Sequence, residues 1–182
     1  SDLVIQLLEG TADATTSASR LGLPPTPFRV IALQAFIGAE RDAALLLAFE
    51  RATTGFGWSR PGRSALAGNT VYTLLPGEES DAARKWVSGL RAALPERMTL
   101  LAGISGAAGA ADLVAARHEA DECLALHETS PTGVAPPAYD ESWDDILLHR
   151  LRAAAAAGRG SKRGPVADLI AHSKICSRLC YA

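Results

Sequence analysis

A chain of 182 residues suits one domain with appendages and buries roughly 70% of its unfolded surface. Eighteen basic against twenty acidic side chains give a formal charge of −2, which excludes the whole-domain basic footprint of a DNA-reading module. Nearly half the residues are apolar and only 5% are aromatic, so the core is aliphatic and the stacking platforms of single-strand nucleic-acid binders are missing.

Leu3, Val4, Leu7 and Leu8 follow helical spacing until Gly10 interrupts them. A second helical stretch runs from about Thr11 to Arg20, where Gly22 suits a left-handed C-cap. Pro24, Pro25 and Pro27 then force an extended connector. The border between an N-terminal linker (1–22) and the domain proper (23–152) is expected here. Phe28–Leu33 (FRVIAL) is a strand, apolar enough to be central in its sheet. Over Arg41–Thr53, Ala44, Leu45, Leu47, Ala48 and Ala52 mark a helix with one buried face. Gly55–Gly62 is a Gly-rich break that carries Trp58 and Pro61.

Ser64–Ala67 and Val71–Leu75 flank Gly68-Asn69, two residues that tolerate positive φ, so a tight hairpin is expected. Ser80 is the expected cap of the next helix, with acidic residues near its start and Arg84, Lys85 and Arg91 farther on, as the helix dipole favours. Its inner face is Ala83, Trp86, Val87, Leu90 and Leu94, and Pro95 stops it. Met98–Ile104 is the fourth strand. A Gly-rich turn, Ser105–Gly109, leads into helix Ala111–Glu128, whose apolar stripe is Leu113, Ala116, Ala120, Cys123, Leu124 and His127. Val134–Tyr139, with two prolines, is confined to an edge strand or an extended tail. A last domain helix starts near Ser142 with Trp143, Ile146, Leu147 and Leu151. It dissolves into a linker and the start of a further helical region, Pro165–His172, within 153–182. The closing SKICSRLCYA differs in texture from the chain before it and reads as a truncated end or a reading-frame artefact.

The order β-α-β-β-α-β-α-β places the chain in the α/β (α+β) class. Its first six elements form a ferredoxin-like βαββαβ core, an antiparallel sheet with helices on one face, to which a helix and a strand are added. This order resembles a degenerate nucleotide-cyclase-like (GGDEF-like) domain. So do the Gly-containing hairpin that ends in LLP and the helix ADLVAARHEADECLALHE after a GISG strand end. Such a domain lies in the middle of bacterial transcriptional regulators of the PucR/CdaR type. The resemblance covers roughly Leu21 to Leu151 and implies a sensory region before the domain and a helix-turn-helix domain after it.

In an active cyclase of this kind the hairpin turn reads Gly-Gly-Asp/Glu-Glu-Phe, and its acids help bind metal and nucleotide. The hydrophobic VYTLLP places Ala67, Gly68, Asn69, Thr70 and Val71 on those positions. Divalent cations need carboxylate oxygens, and this turn has none. The aspartate that an active cyclase carries at the end of its first strand is also missing, for that stretch is Leu33-Gln34-Ala35. The resemblance therefore implies a structural hairpin without catalytic, cofactor-binding or metal residues.

Other motifs have simpler readings. Gly103–Gly109 fits neither the dinucleotide fingerprint nor a Walker loop, and it narrowly misses Gly-x-Ser-x-Gly around Ser105, so a tight strand-to-helix turn is expected. His118 and Glu122 lie one helical turn apart but lack the second histidine of a zinc motif, and they read as a solvated face. His172, Cys176 and Cys180 have metal-ligand spacing, but the two cysteines fall in the closing stretch read as a truncated end or artefact, and no metal site is expected there. Arg150, Arg152, Arg159, Lys162 and Arg163 make a basic run that reads as solvated linker.

The expected role is a non-enzymatic regulatory domain, without cofactor, that forms a homodimer and meets DNA only through a C-terminal domain absent from this chain. That picture leaves room for a small-molecule effector of unspecified identity. The alternatives are a small-molecule or nucleotide sensor, with its pocket on the sheet face or at Gly55–Gly62, and an active nucleotide cyclase. No apolar run approaches the ~20 residues of a bilayer span. The N-terminus lacks a signal layout and the three cysteines make an odd set, so a cytoplasmic protein with reduced thiols is expected.

Overall fold

The computed structural model describes residues 2–61, 63–130 and 134–158. They belong to two units, one up to Ser142 and one from Trp143 onward. In the first, α1 (Asp2–Glu9) stops at Gly10 and α2 (Ala14–Arg20) follows. Asp13 caps α2 by accepting the Thr16 N–H at 2.8 Å. At its other end Gly22 takes a φ of 62°, and the N–H groups of Gly22 and Leu23 donate to Ser19 and Ala18 carbonyls at 3.0 Å. That is the Schellman closure expected of the glycine.

β1 (Phe28–Phe36), α3 (Asp42–Thr54), β2 (Arg63–Ala67), β3 (Thr70–Pro76), α4 (Ser80–Ala93) and β4 (Thr99–Ile104) give the ferredoxin-like order. The sheet runs β2-β3-β1-β4 with every pair antiparallel. β1 is central: Leu33 faces Val71 of β3 on one side and Ala102 of β4 on the other. α5 (Leu113–Glu128) follows a short 3-10 turn, Ala110–Asp112. All six residues of its expected stripe are buried.

The uninterrupted apolar run of β1 has a physical consequence, because successive side chains point to opposite faces and both faces must be covered. Ile31, Leu33 and Ala35 pack with Ala44 and Ala48 of α3 and Val87 and Leu90 of α4. Phe28, Val30 and Ala32 pack with Leu113, Ala116 and Ala120 of α5 and with Val4, Leu7 and Leu8 of α1. The sheet thus has helices on both faces, not one. The helix expected as an addition covers the second face, together with α1 from the stretch read as a linker.

Three local expectations change in detail. Ser80 is not a cap: it is the first residue of α4, Glu79 stands before it without a capping bond, and the Ser80 hydroxyl donates to Glu141. In the hairpin turn only Gly68 has positive φ, at 61°, which is the type II′ pattern, and Asn69 is not left-handed. Of the two readings of Val134–Tyr139 the structure has the tail and not the added strand, with a single parallel bridge, Ala138 to Ile104.

The outer edge of β4 is filled piecemeal. The Leu100 carbonyl accepts from Arg91 Nη2 at 2.7 Å, the Ala102 N–H donates to His127 Nδ1 at 3.0 Å, and the Ile104 N–H donates to the Pro137 carbonyl at 3.0 Å. Side chains and one backbone oxygen satisfy groups that would otherwise template another strand.

In the second unit, Trp143–Ala157 forms α6. Ile146 is buried, whereas Trp143, Leu147, Leu148 and Leu151 are exposed. The expected helix Pro165–His172, the residues His172, Cys176 and Cys180, and Arg159, Lys162 and Arg163 lie outside the described residues.

Candidate functional site

The signature hairpin closes on the pair Ala67 and Thr70, with Gly68 and Asn69 as its turn. Val71 of β3 is fully buried in the cluster formed with α3 and α4. The register that sets Leu33 opposite Val71 carries Gln34, the next residue of β1, to Thr70. Gln34 Nε2 lies 3.5 Å from Thr70 Oγ1, which donates to Asn69 Oδ1 at 3.2 Å. Gln34 Oε1 is buried without a hydrogen-bond partner. The structure therefore joins the two places singled out in the sequence, the end of the first strand and the hairpin turn.

What it joins there is an amide, a hydroxyl and a second amide. All are neutral, and a hard divalent cation takes its affinity from carboxylate oxygens. The residues do not fit the metal of an active cyclase. Among the described residues no group of three or more His, Cys, Asp or Glu side chains is placed to hold a metal ion. His118 and Glu122 share no such group.

The Gly-rich turn after β4 is spent on the fold. Ser105 is fully buried; its Oγ accepts the Val30 N–H and donates to the Gly106 carbonyl, both at 2.8 Å. The Gly106 N–H donates to Glu119 Oε2 at 2.9 Å, so a carboxylate of the protein already fills the place an anion would take. Ala108 and Phe28 exchange both backbone bonds at 2.8 Å. His127 is buried between the Ala102 N–H and the Val134 carbonyl, the latter 3.1 Å from Nε2. Burial also pushes the Cys123 thiol up to about 12, which leaves it inert as a nucleophile.

Two polar clusters had escaped the reading of the sequence. In the first, Arg29, with a side chain only 5% exposed, forks onto Asp140: Nη1 to Oδ1 and Nη2 to Oδ2, both at 2.9 Å. The same guanidinium donates to the Glu78 carbonyl at 2.7 Å and the Ser105 carbonyl at 2.9 Å. Beside it Arg84 Nη2 meets Glu141 Oε2 at 2.6 Å and its Nε donates to the Pro136 carbonyl at 3.2 Å. The hydrogen bond from Arg29 holds the Asp140 carboxyl below its usual range, and bonds from Ser80 and Arg84 do the same for Glu141. Together these contacts latch residues 136–141 to the end of the sheet. The signal was a charged residue inside FRVIAL, which requires a partner from elsewhere in the fold.

The second cluster ties the helices of the second face to β3. The Tyr72 hydroxyl donates to Asp121 Oδ1 at 2.7 Å, and the Arg117 guanidinium lies 4.8 Å above the Tyr72 ring. Arg117 also pairs with Glu9 of α1 at 3.7 Å. Burial, followed by the bond to Asp121, pushes the Tyr72 phenol up.

Among the described residues no helix is long and apolar enough to cross a membrane. No curated protein and no solved structure matches the chain. The family model of the GGDEF-like domain matches residues 9–126, from the end of α1 to the last turns of α5, which is more than half of the chain. With its β1-centred antiparallel sheet and carboxylate-free signature hairpin, this chain belongs to the GGDEF-like domain family.

Proposed function

We propose that this chain is the non-catalytic regulatory domain of a cytoplasmic bacterial transcriptional regulator of the PucR/CdaR type. It pairs with a second copy of itself and passes a signal to a DNA-binding domain outside residues 1–182. The observation that carries the reading is the relay from Gln34 to Thr70 and from Thr70 to Asn69 where a cyclase needs metal-binding carboxylates. Neutral side chains there keep the hairpin as a structural element and remove the Lewis acid that phosphoryl transfer requires.

Pairing is supported by α6, which presents Trp143, Leu147, Leu148 and Leu151 to solvent. These residues recur at helical spacing, and an exposed apolar stripe of this kind serves association. A second α6 lying antiparallel would set Asp144 and Asp145 of one copy near Arg152 of the other, so the charge order favours a like partner. The slightly acidic balance supports leaving DNA contact to another domain.

Sedimentation velocity tests the pairing. A dimer that dissociates in the double variant Leu147→Asp, Leu151→Asp supports it; a monomer at every accessible concentration contradicts it. Calorimetric titration with GTP and Mn²⁺ tests the other half. No metal-dependent binding is expected, and a saturable magnesium- or manganese-dependent GTP isotherm would contradict the reading.

A further inference from the structure

The base of the signature hairpin, at the opposite end from its turn, borders a cavity of about 370 Å³. Small-molecule sites begin at roughly 300 Å³. Its apolar wall is Leu23, Pro24, Pro61, Leu74, Leu75 and Pro76, and Arg60 and Arg63 stand among these residues.

The hydrogen-bonding capacity of this wall is one-sided. Pro24, Pro61 and Pro76 have no N–H to offer. Gly22 and Leu23, at the cavity's α2 side, spend theirs on the helix cap. Leu74 lies inside the sheet, paired with Val30 and Arg63. The strong donors left are the guanidiniums of Arg60 and Arg63, and neither has a carboxylate partner among the described residues. The Arg63 guanidinium reaches toward the α2 turn, 3.9 Å from where a Cβ on Gly22 would sit.

We propose that this cavity is a binding site for a small molecule with an apolar body and one carboxylate. The leucine and proline wall takes the body, and the two guanidiniums fork onto the carboxylate, the geometry for which arginine is suited. The site is assembled from the α2 turn, the 55–61 loop and the β2–β3 hairpin base. Occupancy therefore ties the N-terminal segment to the same hairpin whose turn meets Gln34. The proposal does not rest on the regulatory reading, since it needs only the cavity and its two cations.

The test is a two-dimensional ¹H–¹⁵N titration of the full 182-residue chain with octanoate, benzoate, octanamide and inorganic phosphate. Octanoate or benzoate should shift the amides of Gly22, Leu23, Leu74 and Leu75 saturably. Octanamide and phosphate should bind at least about tenfold more weakly, the one lacking the charge and the other the apolar body. The double variant Arg60→Gln, Arg63→Gln should keep its sheet resonances in place and lose at least about tenfold in affinity for the acids. No saturable shift at those amides with either acid would overturn the proposal. Equal affinity in the double variant, or phosphate or octanamide binding as tightly as the acids, would overturn it too.

Discussion

Asp140 receives both terminal nitrogens of Arg29 at 2.9 Å across 111 residues of sequence. The pair lies where the last segment of the first unit is latched to the sheet. Asp140→Asn leaves a buried guanidinium facing a neutral amide. The 46% exposure of Asp140 screens the pair, so the expected loss in urea unfolding is about 2 kcal/mol, below the 3–5 kcal/mol of fully buried pairs. The pH dependence follows from the same contacts. The folded carboxyls of Asp140 and Glu141 sit below their ordinary values of 3.8 and 4.5. Their contribution is therefore complete above those values and is lost as pH falls through them toward the lower folded values. The melting temperature should hold from neutral pH down to about pH 5 and then fall, less steeply in Asp140→Asn than in the parent.

Two glycines separate steric from conformational need. A Cβ on Gly103 would lie 2.1 Å from the Leu124 nitrogen and 2.3 Å from the Ala120 oxygen, so β4 and the backbone of α5 touch there. Gly103→Ala is expected to cost more than about 3 kcal/mol or to prevent folding, because only a backbone shift makes room. Gly68 has open space around it and a φ of 61°. Gly68→Ala should cost about 1–3 kcal/mol, the penalty of a positive φ at the first position of a type II′ turn. Unfolding curves of the two variants decide whether α5 belongs to the core of the domain, as described.

Trp86 is 6% exposed and packs on Phe56 with ring centroids 5.5 Å apart. Trp86→Ala should cost about 3–5 kcal/mol in urea unfolding. Its indole Nε1 is buried without a partner, so Trp86→Phe forfeits no hydrogen bond and should retain most of the stability. A loss below about 1 kcal/mol for Trp86→Ala would place the inner face of α4 wrongly.

Elements whose evidence is local were legible before the fold was known. The stripe Leu113, Ala116, Ala120, Cys123, Leu124 and His127 is buried as its spacing implies, because helical period alone selects a face. Phe28–Leu33 read as central because an edge strand has no use for apolar side chains on both faces, and the structure pairs it on both sides. Relationships that depend on distant partners were not legible. Leu3, Val4, Leu7 and Leu8 look the same on a linker helix as on a core helix until α5 supplies the surface they meet. Ser80 has the chemistry of a cap, but Glu141, which arrives 61 residues later, claims its hydroxyl. For the signature site, the hairpin and Gln34 were both visible in the sequence, while their contact follows from strand register.

Nucleotide turnover decides whether the hairpin has kept any cyclase chemistry. The full chain is incubated with GTP or with ATP in magnesium or manganese, and products are resolved by chromatography against a control without protein. With Gln34 and Thr70 in place of metal-binding carboxylates, no cyclic mono- or dinucleotide is expected above that control. Formation of either product, abolished by chelating the metal, would contradict the non-catalytic reading.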